Sequence, residues 1–167
     1  TNFNHQSKEV IAAYSGSPEG FTSLAQAWLV LVEAHLDSAS AVFLVDRLLQ
    51  VLHANDTTIG EEQSLAFQLQ ALTIAGQRAG EAGNRQLAEE CLQRAALLAE
   101  RLTRVFPNHA THWRNRIAVF VLQIVEELDQ FKQTLRSGDE QAIAKMQMEL
   151  RRSRDEFTSF YKEIPEA

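Results

Sequence analysis

The chain has 167 residues, of which 45% are hydrophobic and 23% are charged, and its formal net charge is −6. This length and composition are typical of one soluble globular domain, and the negative charge argues against nucleic acid as a partner, because nucleic-acid binders usually present a concentrated basic face. The single cysteine, Cys91, excludes an internal disulfide and a metal site built from several thiolates.

The most apolar stretch, residues 24–52, is interrupted by charged residues, and no unbroken apolar run within it approaches the roughly 18–20 residues that a membrane span requires. The first ten residues lack the apolar core of a signal peptide. Thr1 is also what removal of an initiator Met would leave. We therefore expect a cytoplasmic protein without a membrane span.

The first helix signal in chain order is "SGSPEG". Ser17 can cap a helix, Pro18 suits its first position, and Glu19 favours the positive end of the helix dipole. Apolar residues then recur at helical spacing, and a denser apolar run over 41–52 predicts the central, most buried helix.

Two further helices are predicted between residues 58 and 107. Thr58 stands three residues before Glu61, which is the spacing of a capping box and predicts a helix start there. Asn84 is expected to cap the next helix, and Pro107 is expected to end it, because a residue before proline is biased out of the helical region. The predicted buried stripes are Leu65, Leu69, Leu72 and Ala75 in the first and Leu87, Cys91, Ala95, Leu98, Leu102 and Val105 in the second.

The clearest helical pattern begins near Thr111 and continues to "RSGDE". Its apolar stripe comprises Trp113, Ile117, Phe120, Ile124, Leu128, Phe131 and Leu135. Gly138 is expected to close this helix and Asp139 to cap the last one, which stops before Pro165. The last helix has a polar gap in its stripe at Ser153 and Arg154, so part of it is expected to lie open or to face a partner.

No alternating strand pattern appears in the sequence. We therefore predict an all-α single domain over residues 1–167, an antiparallel bundle or array of five to six helices, with 1–16 as a loosely packed N-terminal segment. Residues 88–113 also resemble the second helix of a tetratricopeptide repeat running into the next repeat. Predicted helix starts near 61, 84 and 111 lie too far apart for two helices within about 34 residues, which favours the bundle.

Three histidines are candidate ligand-binding residues. His109 and His112 stand three apart, a spacing that lets two imidazoles approach one metal ion. No carboxylate or cysteine lies within four residues of either, so we expect no metal and no cofactor. His35 is flanked by Glu33 and Asp37, but neighbours two apart on a helix point to different faces, which favours an ordinary, partly buried histidine.

Arginines cluster around Pro107, with Arg104 near the end of one predicted helix and Arg114 and Arg116 at the start of the next. Such a cluster could bind a carboxylate or phosphate through paired hydrogen bonds, so a small anionic ligand is a candidate partner. Arg104 also complements the negative end of its own helix dipole without any ligand. No nucleotide-binding loop and no nucleophile motif is present, so we expect no catalytic residues and favour a protein that is not an enzyme.

Several stretches resemble the helical C-terminal half of prephenate and arogenate dehydrogenases. They are "HLDSASAVFLV" from His35, "TRV" at 103–105, "WRNRI" at 113–117 and the tail "LRSGDEQAIAKMQMELRRSRDEF". The resemblance implies that His35 polarises a substrate hydroxyl, that Arg104 holds a carboxylate and that the long helix mediates dimerisation. The chain departs from the family in having Ser38 where a second histidine is expected and in lacking the dinucleotide-binding half.

The leading functional hypothesis is association with a protein partner or a second copy through the two last helices, without catalysis. Val119, Val121, Leu122 and Val125 broaden the long helix beyond one apolar stripe. The candidate interface residues are Trp113, Phe120, Ile124, Leu128 and Phe131. The alternatives are a helical bundle that binds or senses a small anion, and the substrate-binding and dimerisation half of a prephenate dehydrogenase-like enzyme.

Overall fold

A computed structural model describes residues 19, 22–23, 25–27, 45–52 and 60–165. Four helices have both ends within these ranges: α1 (Glu61–Glu81), α2 (Arg85–Val105), α3 (Ala110–Ser137) and α4 (Glu140–Tyr161). The described residues before Gly60 are helical as well, and no residue in the described ranges forms a strand. The protein is therefore all-α, as predicted. In the described part of the chain, no helix is both long enough and apolar enough to span a bilayer.

Consecutive helices run antiparallel and are joined by short turns. Arg101, near the end of α2, pairs with Glu61 at the start of α1. At the same end of the array, Trp113 in the first turn of α3 stacks on Phe160 near the end of α4. Each helix packs mainly against the next one in the chain, and α1 also contacts α3. The first turns of α1 and α3 thus lie close together.

Local signals set the ends of α2, α3 and α4 as predicted. The Asn84 side chain accepts a hydrogen bond from the Leu87 amide, and α2 ends at Val105, before Pro107. Gly138 closes α3 in the left-handed conformation with φ 71°, which glycine adopts at little cost. The Asp139 carboxylate then accepts hydrogen bonds from the first amides of α4.

The start of α1 differs from the predicted capping box. Gly60, not Thr58, occupies the N-cap position, and no side chain among the described residues caps the helix. Thr58 itself lies outside the described residues. Gly60 turns the chain into the helix with φ 84°, a conformation in which a residue with a Cβ would be strained. Glu61 and Glu62 in the first turn instead complement the positive end of the helix dipole.

The core lies between α1, α2 and the helical residues 45–52. The predicted stripe of α1 is fully buried, as are Val45, Leu48 and Leu52, each 1% exposed. Small residues let α1 and α2 approach closely: a Cβ on Gly76 would lie only 2.8 Å from Cγ of Leu92. Val105, placed in the core by the sequence pattern, is instead 50% exposed at the last residue of α2.

The hairpin of α3 and α4 is much less buried than that of α1 and α2. Nine of 21 residues are buried in α1 and seven of 21 in α2. In α3 only three of 28 are buried, His112, Trp113 and Val119, and in α4 only Phe160 of 22. From residue 120 to residue 159 no residue of the α3–α4 hairpin is fully buried, so this part of the hairpin contributes little to the main core.

Candidate functional site

The turn between α2 and α3 is held by the indole of Trp113. Its Nε1–H donates a hydrogen bond to the carbonyl oxygen of Pro107 at 2.8 Å, and its ring stacks on Phe160 with centroids 6.1 Å apart. The side chain is 9% exposed. Trp113, one of the predicted interface residues, is thus part of the packing within this chain, where it joins the turn to the end of α4.

Arg116 belongs to the same internal cluster. Its guanidinium lies 4.4 Å from the centroid of the Phe160 ring and donates a hydrogen bond to Oγ1 of Thr103 at 3.0 Å. The carboxylate of Glu163 lies 3.6 Å away. Its side chain is only 16% exposed, so Arg116 ties α2 and α4 to α3.

The other arginines near the turn face different partners. Arg104 pairs with Glu100 one helical turn earlier at 2.8 Å, and its side chain is 72% exposed. Arg101 pairs with Glu61 across the α1–α2 hairpin, and Arg114 is exposed. A pocket shared by these side chains and Arg116 would require breaking existing ion pairs, so their arrangement does not favour the predicted anion site.

The two histidines at this turn meet a carboxylate from α1. One oxygen of Glu62, Oε1, accepts a hydrogen bond from Nε2 of His112 at 2.6 Å and also contacts Nδ1 of His109. The two imidazole rings stack with centroids 5.4 Å apart. His109 is the N-cap residue of α3 and His112 lies in its first turn, so the helix start holds both rings against α1.

The three groups differ in their access to solvent. His112 is 5% exposed, whereas the side chains of His109 and Glu62 are 55% and 34% exposed. The hydrogen bond from His112 is the main reason that the pKa of Glu62 is lowered, and the proximity of His109 lowers it further, against the opposing effect of burial. Within the described part of the chain, Nδ1 of His112 is buried without a hydrogen-bond partner.

Sequence reasoning found the histidine pair but missed Glu62. The carboxylate stands 50 residues before His112 in the chain, so a search of the neighbouring residues could not find it. Only the parallel placement of α1 and α3, which follows from two successive antiparallel turns, brings the three side chains together. The other histidine candidate, His35, lies outside the described residues.

The lowered pKa of Glu62 predicts a specific pH dependence of stability. A carboxyl group whose pKa is lower in the folded than in the unfolded state stabilises the fold above its ordinary pKa of about 4.5, and this contribution is lost as the pH falls through the folded-state pKa. Glu62→Gln should therefore lower the free energy of unfolding by less than about 1 kcal/mol near neutral pH. The difference from the unmodified protein should shrink in acid.

Urea unfolding at several pH values measures this difference. The matched control is Glu61→Gln, which removes the same charge from the adjacent residue, one that pairs with Arg101 and not with the histidines. An equal loss of stability for Glu62→Gln at neutral and acid pH would contradict the assigned role of the carboxylate.

One face of α3 carries an apolar stripe, interrupted only by Lys132, that nothing in the described part of the chain covers fully. We call it the outer seam, and it comprises Ala118, Val121, Val125, Leu128 and Leu135, with Lys132 at the one charged position. Successive residues of the seam are alternately three and four apart, which is the spacing of a coiled-coil contact face. The exposed fractions are 47%, 45%, 42% and 48% for Val121, Val125, Leu128 and Leu135. The ammonium group of Lys132 pairs with Asp129 at 2.8 Å.

The other predicted interface residues lie on a neighbouring face of α3. Phe120 packs edge-on against Phe157 and stacks on Phe160, with centroids 5.7 and 5.2 Å apart. Ile124 and Phe131 are half-buried. Of the five predicted residues, Leu128 alone belongs to the outer seam.

A carboxyl group lies between α3 and α4 at the middle of the hairpin. Oε1 of Glu127 accepts a hydrogen bond from the hydroxyl of Ser153 at 2.8 Å. Its other oxygen, Oε2, is buried without a partner among the described residues. Burial is the main cause of the raised pKa of Glu127, and the Ser153 hydrogen bond only partly offsets it.

Glu127→Gln should stabilise the protein at neutral pH. A carboxyl group with a raised folded-state pKa favours folding below its ordinary pKa, and this contribution is lost as the pH rises through the folded-state value. Removing the charge should therefore increase the free energy of unfolding by about 1 kcal/mol near pH 7. The gain should vanish in acid, where Glu127 is itself protonated. Urea unfolding at both pH values tests this, and a destabilised variant at neutral pH would contradict it.

The residues that carry the resemblance to prephenate dehydrogenases are only partly described by the structure. Arg104 lies at the surface in its pair with Glu100, and His35 lies outside the described residues. The resemblance therefore stays a prediction. No family model, no curated protein and no solved structure matches this chain.

Proposed function

We propose that this protein acts by association and forms a homodimer through the outer seam of α3, without catalysis. The observation that carries the proposal is the half-exposed heptad stripe from Val121 to Leu135. Four aliphatic side chains between 42% and 48% exposed follow one another along about four turns of a single helix. An exposed apolar patch of this kind marks an interaction site.

The spacing of the stripe favours a helix as the surface that covers it. Apolar residues alternately three and four apart present side chains that insert between those of a facing helix. The α3–α4 hairpin already pairs two helices, so two such hairpins would complete a four-helix bundle. The α3 helix of a second copy carries the same apolar stripe and can therefore be the facing helix. In a two-fold arrangement each stripe covers the other, so the assembly stops at two copies.

The charged residue in the outer seam is compatible with this contact. The ammonium group of Lys132 reaches Asp129 on the same helix, and its side chain is 68% exposed. Its aliphatic stem can therefore lie along the seam while the charge stays in water. The polar gap at Ser153 is accounted for separately, because its hydroxyl binds Glu127 within the hairpin.

Light scattering coupled to size exclusion, over a wide range of protein concentration, tests for the dimer. Disulfide crosslinking locates the contact surface of the dimer. Single cysteines are introduced at Val121, Val125 and Leu128 in a Cys91→Ala background, and Met148→Cys on α4 is the control. In a two-fold dimer the seam position nearest the axis should form a disulfide between copies, whereas Met148→Cys should not. A monomer at all concentrations, or crosslinking through Met148→Cys alone, would overturn the proposal.

A further inference from the structure

We propose that Glu62, His109 and His112 bind one divalent transition-metal ion of the zinc type, which joins the start of α1 to the start of α3. This site is independent of the outer seam. It lies at the turn between α2 and α3, whereas the seam runs along the distal part of α3.

The geometry brings three ligand atoms to one point. Nδ1 of His109, Nε2 of His112 and Oε1 of Glu62 all lie within 4.8 Å of one another. A zinc ion binds imidazole nitrogen and carboxylate oxygen at about 2.0–2.2 Å, which places its ligands roughly 3.3 Å apart in a tetrahedron. Because both nitrogens already contact the same oxygen, an ion would enter by widening these contacts, with water as the fourth ligand.

The donor set selects the class of ion. Two imidazoles and one carboxylate suit zinc, cobalt, nickel or copper, whereas calcium and magnesium require mostly oxygen ligands. An ion can also reach the site from solvent, because the side chains of His109 and Glu62 are partly exposed. The third ligand, His112, is buried and is already held by Glu62. Two ligands come from the first turn of one helix and its N-cap, so little ordering is needed on binding.

The surroundings of His112 set the expected strength of binding. A metal on Nε2 leaves the imidazole proton on Nδ1, which is buried and has no partner in the described part of the chain. Histidine ligands usually donate that proton to an acceptor, and loss of such a partner weakens binding by about 10–100-fold. We therefore expect affinity clearly below that of structural zinc sites and reversible loading of the ion.

The test is calorimetric titration of the untagged protein with zinc chloride, at a pH above the ordinary histidine pKa of about 6.5. Visible absorption of the cobalt-loaded protein reports tetrahedral nitrogen and oxygen ligands. The variants are Glu62→Gln and His109→Gln, with Glu61→Gln as the matched control. We expect one ion per chain, at least about tenfold weaker binding in both site variants and no change in the control.

Two results would overturn the site. One is the absence of zinc binding and of a cobalt absorption band in the unmodified protein. The other is zinc binding of equal strength in Glu62→Gln and His109→Gln. Circular dichroism shows whether each variant is folded. His109 is more than half exposed, so His109→Gln remains decisive even if Glu62→Gln weakens the fold.

Discussion

Leu128→Glu is expected to convert the proposed dimer to a monomer while leaving the chain folded. Leu128 lies in the middle of the outer seam and is 42% exposed in the single chain, so a glutamate there can reach water and should change the free energy of unfolding by about 1 kcal/mol or less. In the proposed two-fold dimer the same substitution would bury two carboxylates without partners. Such uncompensated charges cost about 3–5 kcal/mol, which weakens dimerisation by at least about a hundredfold.

Analytical ultracentrifugation measures the change, with Met148→Glu as the control. Met148 is 70% exposed and lies on α4, so it is not part of the outer seam. The control introduces the same charge on an apolar side chain and should leave the dimer intact. A Leu128→Glu protein that dimerises like the unmodified chain would contradict the seam, and equal dissociation of both variants would point to a general charge effect.

The helix boundaries were predictable because they depend on local chemistry. Asn84, Pro107, Gly138 and Asp139 act on backbone groups within a few residues, and the structure confirms all four. The stripe of α1 was equally predictable, because a helix with one apolar face buries that face. The prediction that Thr58 caps α1 in a capping box was wrong. The helix starts one residue after Gly60, and the spacing of Thr58 and Glu61 does not take into account that a glycine can itself turn the chain into a helix.

The candidate sites were less predictable because they depend on how helices are placed relative to one another. The sequence puts Arg104 and Arg116 at the same turn, yet their side chains point to different partners, Glu100 and Thr103. Glu62 reaches the histidines only through the stacking of α1 beside α3. The sequence also predicts one broad apolar surface on α3, whereas the structure divides it into a face packed on α4 and an outer seam.

Trp113→Ala is expected to destabilise the protein by about 3–5 kcal/mol and to release α4 from the array. The indole fills the space between the turn at Pro107 and the ring of Phe160, which is the single buried residue of α4. Removing the indole leaves a cavity between the turn and the Phe160 ring. It also removes the aromatic ring over which the Arg116 guanidinium lies. Trp113→Phe keeps an aromatic ring but loses the hydrogen bond to Pro107, so it should cost less, about 1 kcal/mol from the lost hydrogen bond plus a smaller packing term.

Hydrogen exchange resolved along the chain separates the two variants. In Trp113→Ala, amides of α4 should lose protection before those of α1 and α2, because the α1–α2 core does not contain the indole. Equal protection of α4 in both variants would show that the aromatic contacts of Phe120 with Phe157 and Phe160 hold the helix without Trp113.

Trp113→Ala should also change how the chain associates. With α4 released, the rings of Phe120, Phe157 and Phe160 become accessible beside the outer seam, so association of this variant should no longer stop at two copies. We therefore expect the indole, which holds the turn through Pro107 and Phe160, also to limit the apolar surface that α3 presents in the proposed dimer.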